Sequence, residues 1–143
     1  MTPVAVSALA GSTSRRAGAS AALLLLLCGC NGGTVDRHAL TNDAGTIDSL
    51  ACEGALLAHD ASKGASTTPF VRVHADVLRA QASHLADALA SRPTSPGLEA
   101  RVRSAARDAK AVANVLSRLH HHPGDRAVAA RAQRALDRAG NCP

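Results

Sequence analysis

Leu98, Val102, Ala105, Ala109, Val112, Leu116 and Leu119 recur in alternating steps of four and three. Held over three heptads, this spacing puts all seven on one narrow stripe of an α-helix. Such a stripe is unstable in water and needs the matching stripe of another helix, the seam of bundle packing. Ser95 is placed as the N-cap, Pro96 opens the helix, and Pro123 closes it.

The flanking segments supply partners. One helix is expected over 44–63, capped by Asp43 and stopped by Gly64, with Ile47, Leu50, Ala51, Gly54, Leu57, Ala58 and Ala61 facing inward. A second begins at Pro69 behind Thr68 as cap and ends before Pro93, burying Val71, Ala75, Leu78, Ala82, Leu85 and Leu89. A fourth runs from Asp125 to Ala139, with Val128, Ala132, Ala135, Leu136 and Ala139 inward and Gly140 as stop. Short connections make sequential helices antiparallel, and nothing in 44–143 reads as a strand. The expected fold is all-α, a small up-and-down four-helix bundle. Phe70 is the only aromatic residue, so the core is Ala, Leu and Val; the helices can approach closely but bury little apolar area per residue.

Catalytic chemistry finds few candidates. There is no GxSxG elbow, P-loop or GxGxxG, and His59-Asp60 are sequence neighbours whose side chains diverge. The chain therefore reads as a non-enzyme that needs no cofactor. The histidines are His38, His59, His74, His84 and the run His120-His121-His122. Helical metal ligands pair three or four residues apart, where they share a face, and no two histidines here do. His74 and His84 are ten residues apart, about 15 Å along a helix. No dedicated metal site is assigned; weak transition-metal binding through these histidines stays as the alternative function.

The chain's first thirty residues carry an address. Arg15 and Arg16 precede a short apolar run, Ala21 to Leu27, too short for the ~20 residues that span a bilayer. A basic region, an apolar run and small residues at its exit mark an export signal. Arg15-Arg16 fits general secretion, and it also leaves twin-arginine export open. At the exit stands Leu27-Cys28-Gly29-Cys30, which resembles the lipobox of bacterial lipoproteins. In that class an apolar residue lies three before a cysteine and a small residue just before it. The resemblance implies that signal peptidase II cuts ahead of Cys30, whose thiol carries diacylglycerol. It covers only this stretch and implies nothing about the remainder.

On that reading the chain divides into a signal peptide, 1–29, a flexible spacer, 30–42, after lipidated Cys30, and a helical bundle, 43–143. Of four cysteines, Cys28 leaves with the signal and Cys30 takes the lipid, so Cys52 and Cys142 remain. In an oxidising compartment these two are expected to form a disulfide. The bridge would staple the first helix to the last, with the tail from Gly140 lapping over Leu56.

Charge is uneven: Cys30 to Gly97 holds five basic and seven acidic residues, and Leu98 to Pro143 holds nine and four. Within the basic half, Arg101, Arg107, Arg131 and Arg138 lie off the apolar stripes and are the candidate contacts to an anionic surface. Export and the lack of aromatic stacking groups argue against nucleic acid. Anionic lipid or an acidic envelope protein fits better, beside the plainer reading of a solvated Arg-rich face. The expectation is a lipid-anchored cell-envelope lipoprotein with a non-catalytic interaction or structural role. Its membrane is either the cytoplasmic one, at the outer face, or an outer membrane.

Overall fold

The computed structural model describes residues 33–142, so the export signal and Leu27-Cys28-Gly29-Cys30 lie outside the described residues. Four helices succeed one another: α1 Arg37–Lys63, α2 Thr68–Ser91, α3 Glu99–His121 and α4 Arg126–Gly140. α2 packs most extensively on α3, and α1 on α4. Thinner contacts join α1 to α2 and α3 to α4, and α1 also meets α3 across the diagonal. The result is an all-α up-and-down four-helix bundle, and among the described residues the only β-pairing is one isolated bridge.

The stripes read from the sequence form the core. Ile47, Leu50, Leu57, Val71, Leu78, Leu89, Val112, Leu116, Leu119 and Leu136 are all buried. No polar or charged residue among those described is buried outright. Leu98, Leu85, Val128 and Ala135 are half-buried at its margin. On α4 the inward face continues from Leu136 to Gly140, four residues on, and Ala139 is exposed, contrary to expectation. Gly140 is the position where α4 meets Ala51, the Asp48 carbonyl and Cys52 of α1, so burial there follows that contact.

Three helix starts differ from those expected. α1 begins at Arg37, capped by Asp36, whose carboxylate accepts the Ala39 N–H at 2.8 Å. The stretch expected as spacer up to residue 42 is therefore helical from Arg37 onward, and Asp43 is an interior residue rather than a cap. Thr41, Thr46 and Ser49 donate their hydroxyls to carbonyls four residues back, which accommodates polar side chains within the helix. The segment is anchored by Leu40, buried seven residues ahead of Ile47, and by Val35, fully buried. Val35 accepts the Ser95 N–H at 3.0 Å and donates to the Pro93 carbonyl at 2.7 Å, forming the parallel bridge with Thr94.

That bridge explains the second difference. Ser95 spends its N–H on Val35, and its carbonyl accepts the Leu98 N–H at 3.1 Å across a Pro96-Gly97 turn. Gly97 has φ 83°, the left-handed geometry of the third residue of a type II turn. α3 can begin only after it, at Glu99, so Ser95 is not its cap. The third is a single-residue shift: Thr67, not Thr68, flanks α2. Gly64 ends α1 as expected, and Asp125, expected as the first residue of the fourth helix, is its N-cap, one residue before Arg126.

Cys52 and Cys142 form the disulfide, with Cα atoms 5.4 Å apart and a sequence separation of 90. The closeness of α4 to α1 there depends on Gly140. A Cβ on it would lie 2.8 Å from Ala51 Cβ, 2.9 Å from the Asp48 carbonyl and 2.9 Å from Cys52 Sγ. The tail reaches this junction at Cys142, and Leu56 stays 69% exposed, contrary to the expected overlap.

Gly140→Ala is expected to destabilise the bundle by about 1–3 kcal/mol, because backbone and a disulfide sulfur must move. Gly54→Ala meets only the flexible ends of Leu116 and Leu136, at 2.8 and 3.1 Å. It should stay within about 1 kcal/mol of wild type, since alanine's helix propensity offsets the crowding. Urea unfolding of both variants measures the difference. Reduction of Cys52–Cys142 should lower stability by about 2–4 kcal/mol on the same assay, with the far-UV helical signal retained below the transition.

Candidate functional site

The four arginines singled out from the sequence do not share one face. Arg101 borders a groove between α1 and α3, with Leu40, Thr41 and Asp108. Arg107 borders another, between α2 and α3, beside Arg103 and Arg92. Arg131 lies with Arg118 and His122 between α3 and α4. Arg138 is exposed in the last turn of α4. The basic half of the chain is thus spread around the bundle, and three arginines, Arg92, Arg103 and Arg107, border the groove between α2 and α3.

Arg92 is the residue that sequence reading passed over. It ends α2, donates its own N–H to the Ala88 carbonyl, and pairs through Nη2 with Asp43 of α1. Both side chains are about four-fifths buried, at 18% and 19% exposure. Arg92 Nε is shielded from solvent and has no hydrogen-bond partner. Asp43 lies seven residues past the Asp36 cap, about two turns into α1, and meets the end of α2 only because the helix starts that early.

The histidines are scattered. His74 Nε2 lies 2.8 Å from Glu53 Oε1 on α1, and its ring stacks on Phe70 at 5.4 Å between centroids. His120 Nδ1 lies 3.1 Å from the Arg72 carbonyl, and its ring meets His121 edge-on. Among the described residues no three His, Cys, Asp or Glu side chains are grouped to hold a metal ion. Beside the disulfide, Cys52, Leu56, His59, Gln133, Asp137 and Cys142 line a surface groove of about 600 Å³ between α1 and α4. With both sulfurs bonded to each other, it carries no free thiol nucleophile.

A second feature missed in the sequence is an exposed apolar ridge on α2, made of Phe70, Val73 and Val77. Their three- and four-residue spacing marks a helix face as surely as the core stripe does, but on the outer side. No described helix is long and apolar enough to cross a membrane. In comparison with known proteins, no family model, no curated protein and no solved structure matches the chain.

Two carboxylates titrate below the ordinary value of 3.8. Asp125 is held down chiefly by the Val128 N–H, at 2.9 Å, and also by the Ala127 N–H, at 2.8 Å. Asp76 is held down chiefly by hydrogen bonds from Arg79, at 2.7 and 3.0 Å. A depressed native pKa stabilises the fold above the unfolded value, and that contribution is lost as pH falls through the native one. Asp125→Asn keeps a side-chain oxygen for the cap but removes the titration. Its stability should therefore fall less steeply than wild type's on acidification below the ordinary carboxylate range, as read by denaturant midpoints across that window.

Proposed function

We propose that this chain is a lipid-anchored lipoprotein of the cell envelope, held by diacylglycerol at Cys30, with a non-catalytic interaction role at the membrane surface. The observation that carries the reading is Leu27-Cys28-Gly29-Cys30 at the end of a short apolar run behind Arg15-Arg16. The Cys52–Cys142 disulfide supports it, since such bonds persist in oxidising compartments and are rare in reducing ones. Small exported domains that bury little apolar area commonly rely on such a staple. An acyl-linked cysteine with more than one chain anchors stably, whereas a single chain does not.

The anchor sets the geometry of the proposed role. Residues 31–34 are all that separate Cys30 from Val35 in the sequence, and a chain extends at most about 3.5 Å per residue. Val35 is bonded to the α2–α3 connection. In the mature protein the bundle would be held within about 18 Å of the lipid, with the starts of α1 and α3 and the end of α2 nearest to it. Basic residues at that end, Arg101 and Arg107 among them, would then meet anionic head groups, and Arg131 beside His122 would lie toward the far end.

Membrane fractionation of cells making the chain, with mass determination of the mature N-terminus, tests the reading. Wild type should sediment with membranes and begin at a diacylated Cys30. Cys30→Ala should lack the lipid mass and remain uncut. A wild-type protein found soluble, or one whose mature N-terminus lies elsewhere, overturns the proposal.

A further inference from the structure

We propose that the groove between α2 and α3 binds the phosphate head group of an anionic phospholipid in the membrane that carries the anchor. The inference rests on the lipoprotein reading above and assigns a site to what is otherwise a diffuse attraction. The groove, of about 470 Å³, is bordered by Arg92, Arg103 and Arg107 over an apolar floor that includes Leu89 and Val102, with Glu99 the acidic residue on its rim.

Three features fit a phosphate ester. Arg103 and Arg107 are four residues apart on α3, so their guanidinium groups project from one face, and both are exposed. Among the described residues neither makes an ion pair; the pairs found are His74–Glu53, Arg79–Asp76 and Arg92–Asp43. Guanidinium forks match phosphate oxygens bidentately, which a lysine ammonium cannot do. Arg92 supplies the fixed wall. Its pairing with Asp43 orients it and offsets most of its charge, leaving Arg103 and Arg107 to outweigh Glu99. The apolar floor suits the glycerol and first methylenes of a lipid better than it suits a free ion.

Position selects this groove over the others. Thr94, which pairs with Val35, borders it too, so it opens beside the point where the tether reaches the bundle. The groove holding Arg118 and Arg131 borders His122, at the opposite end of α3. Arg103 and Arg118 are fifteen residues apart, about 22 Å along that helix. The groove holding Arg101 lies at the tether end but sets that single arginine against Asp108.

The test uses the mature protein isolated from its membrane and reconstituted in nanodiscs of phosphatidylcholine, with or without phosphatidylglycerol. Arginine modification by a dicarbonyl reagent, read by peptide mass spectrometry, reports occupancy. Phosphatidylglycerol should slow modification of Arg103 and Arg107 by about fivefold or more, the factor expected for one basic residue at an anionic surface. Arg118 and Arg131 should change little. Native mass spectrometry should find a phosphatidylglycerol adduct that is lost in the R103Q/R107Q chain. Equal slowing at all four arginines, or an adduct that survives R103Q/R107Q, overturns the site. Equal protection by inorganic phosphate in phosphatidylcholine discs overturns the lipid as ligand. The Cys30 peptide mass separates the two readings. A lipid-free Cys30 removes the anchor, and the same chain added to preformed anionic vesicles then decides the groove alone. A diacylated Cys30 with uniform protection removes the groove and leaves the anchor.

Discussion

Among the described residues, twelve of the twenty-five buried apolar side chains are alanine, so at nearly half of the core positions only a methyl group separates one backbone from the next helix. The rest of the fold answers to that closeness. Where α1 and α4 meet, even a methyl is too much, and Gly140 presses against Ala51, Asp48 and Cys52. The same approach brings the Cys52 and Cys142 Cα atoms to 5.4 Å, inside the range a disulfide spans without backbone movement. Close packing with small residues forfeits apolar area, and a cross-link over 90 residues compensates by restricting the unfolded chain. Thin core and long-range bond are two sides of one design.

What the sequence made legible was whatever periodicity controls. The stripe from Val102 to Leu119 and the stripe from Ile47 to Ala61 are buried as read, because a helix turns by a constant angle and the core lies on one side. The disulfide was legible by counting. The start of α1 was not, since Arg37 to Asp43 is polar apart from Ala39 and Leu40. Yet Leu40 stands one heptad before Ile47, and Asp36 stands three residues before the N–H it caps. The Val35 bridge could not have been read locally, because it joins segments about sixty residues apart in sequence, whereas the turn beside it carries a local signal, Pro96 at its second and Gly97 at its third position.

The candidate site was legible as a composition and illegible as a place. Counting charges identified the arginines of α3 and α4, but a charge count carries no angle around a bundle, and the structure divides Arg101, Arg107 and Arg131 among three grooves. Arg92 sits in the acidic half of the chain and joins the basic groove only because α2 ends beside α3. Its partner Asp43 is an interior residue of α1 only because that helix begins at Arg37.

The two fastenings on α1 also define how this protein carries load. Tension entering from the N-terminal side would first meet the paired hydrogen bonds of Val35 on the α2–α3 connection. Should those part, α1 can peel from its start only as far as Cys52, where the covalent bond to Cys142 passes the force to the end of α4. Residues 37–51 are therefore the extensible part of the helix. The remainder of α1, from Cys52 to Lys63, yields only if α4 unravels from its own C-terminal end.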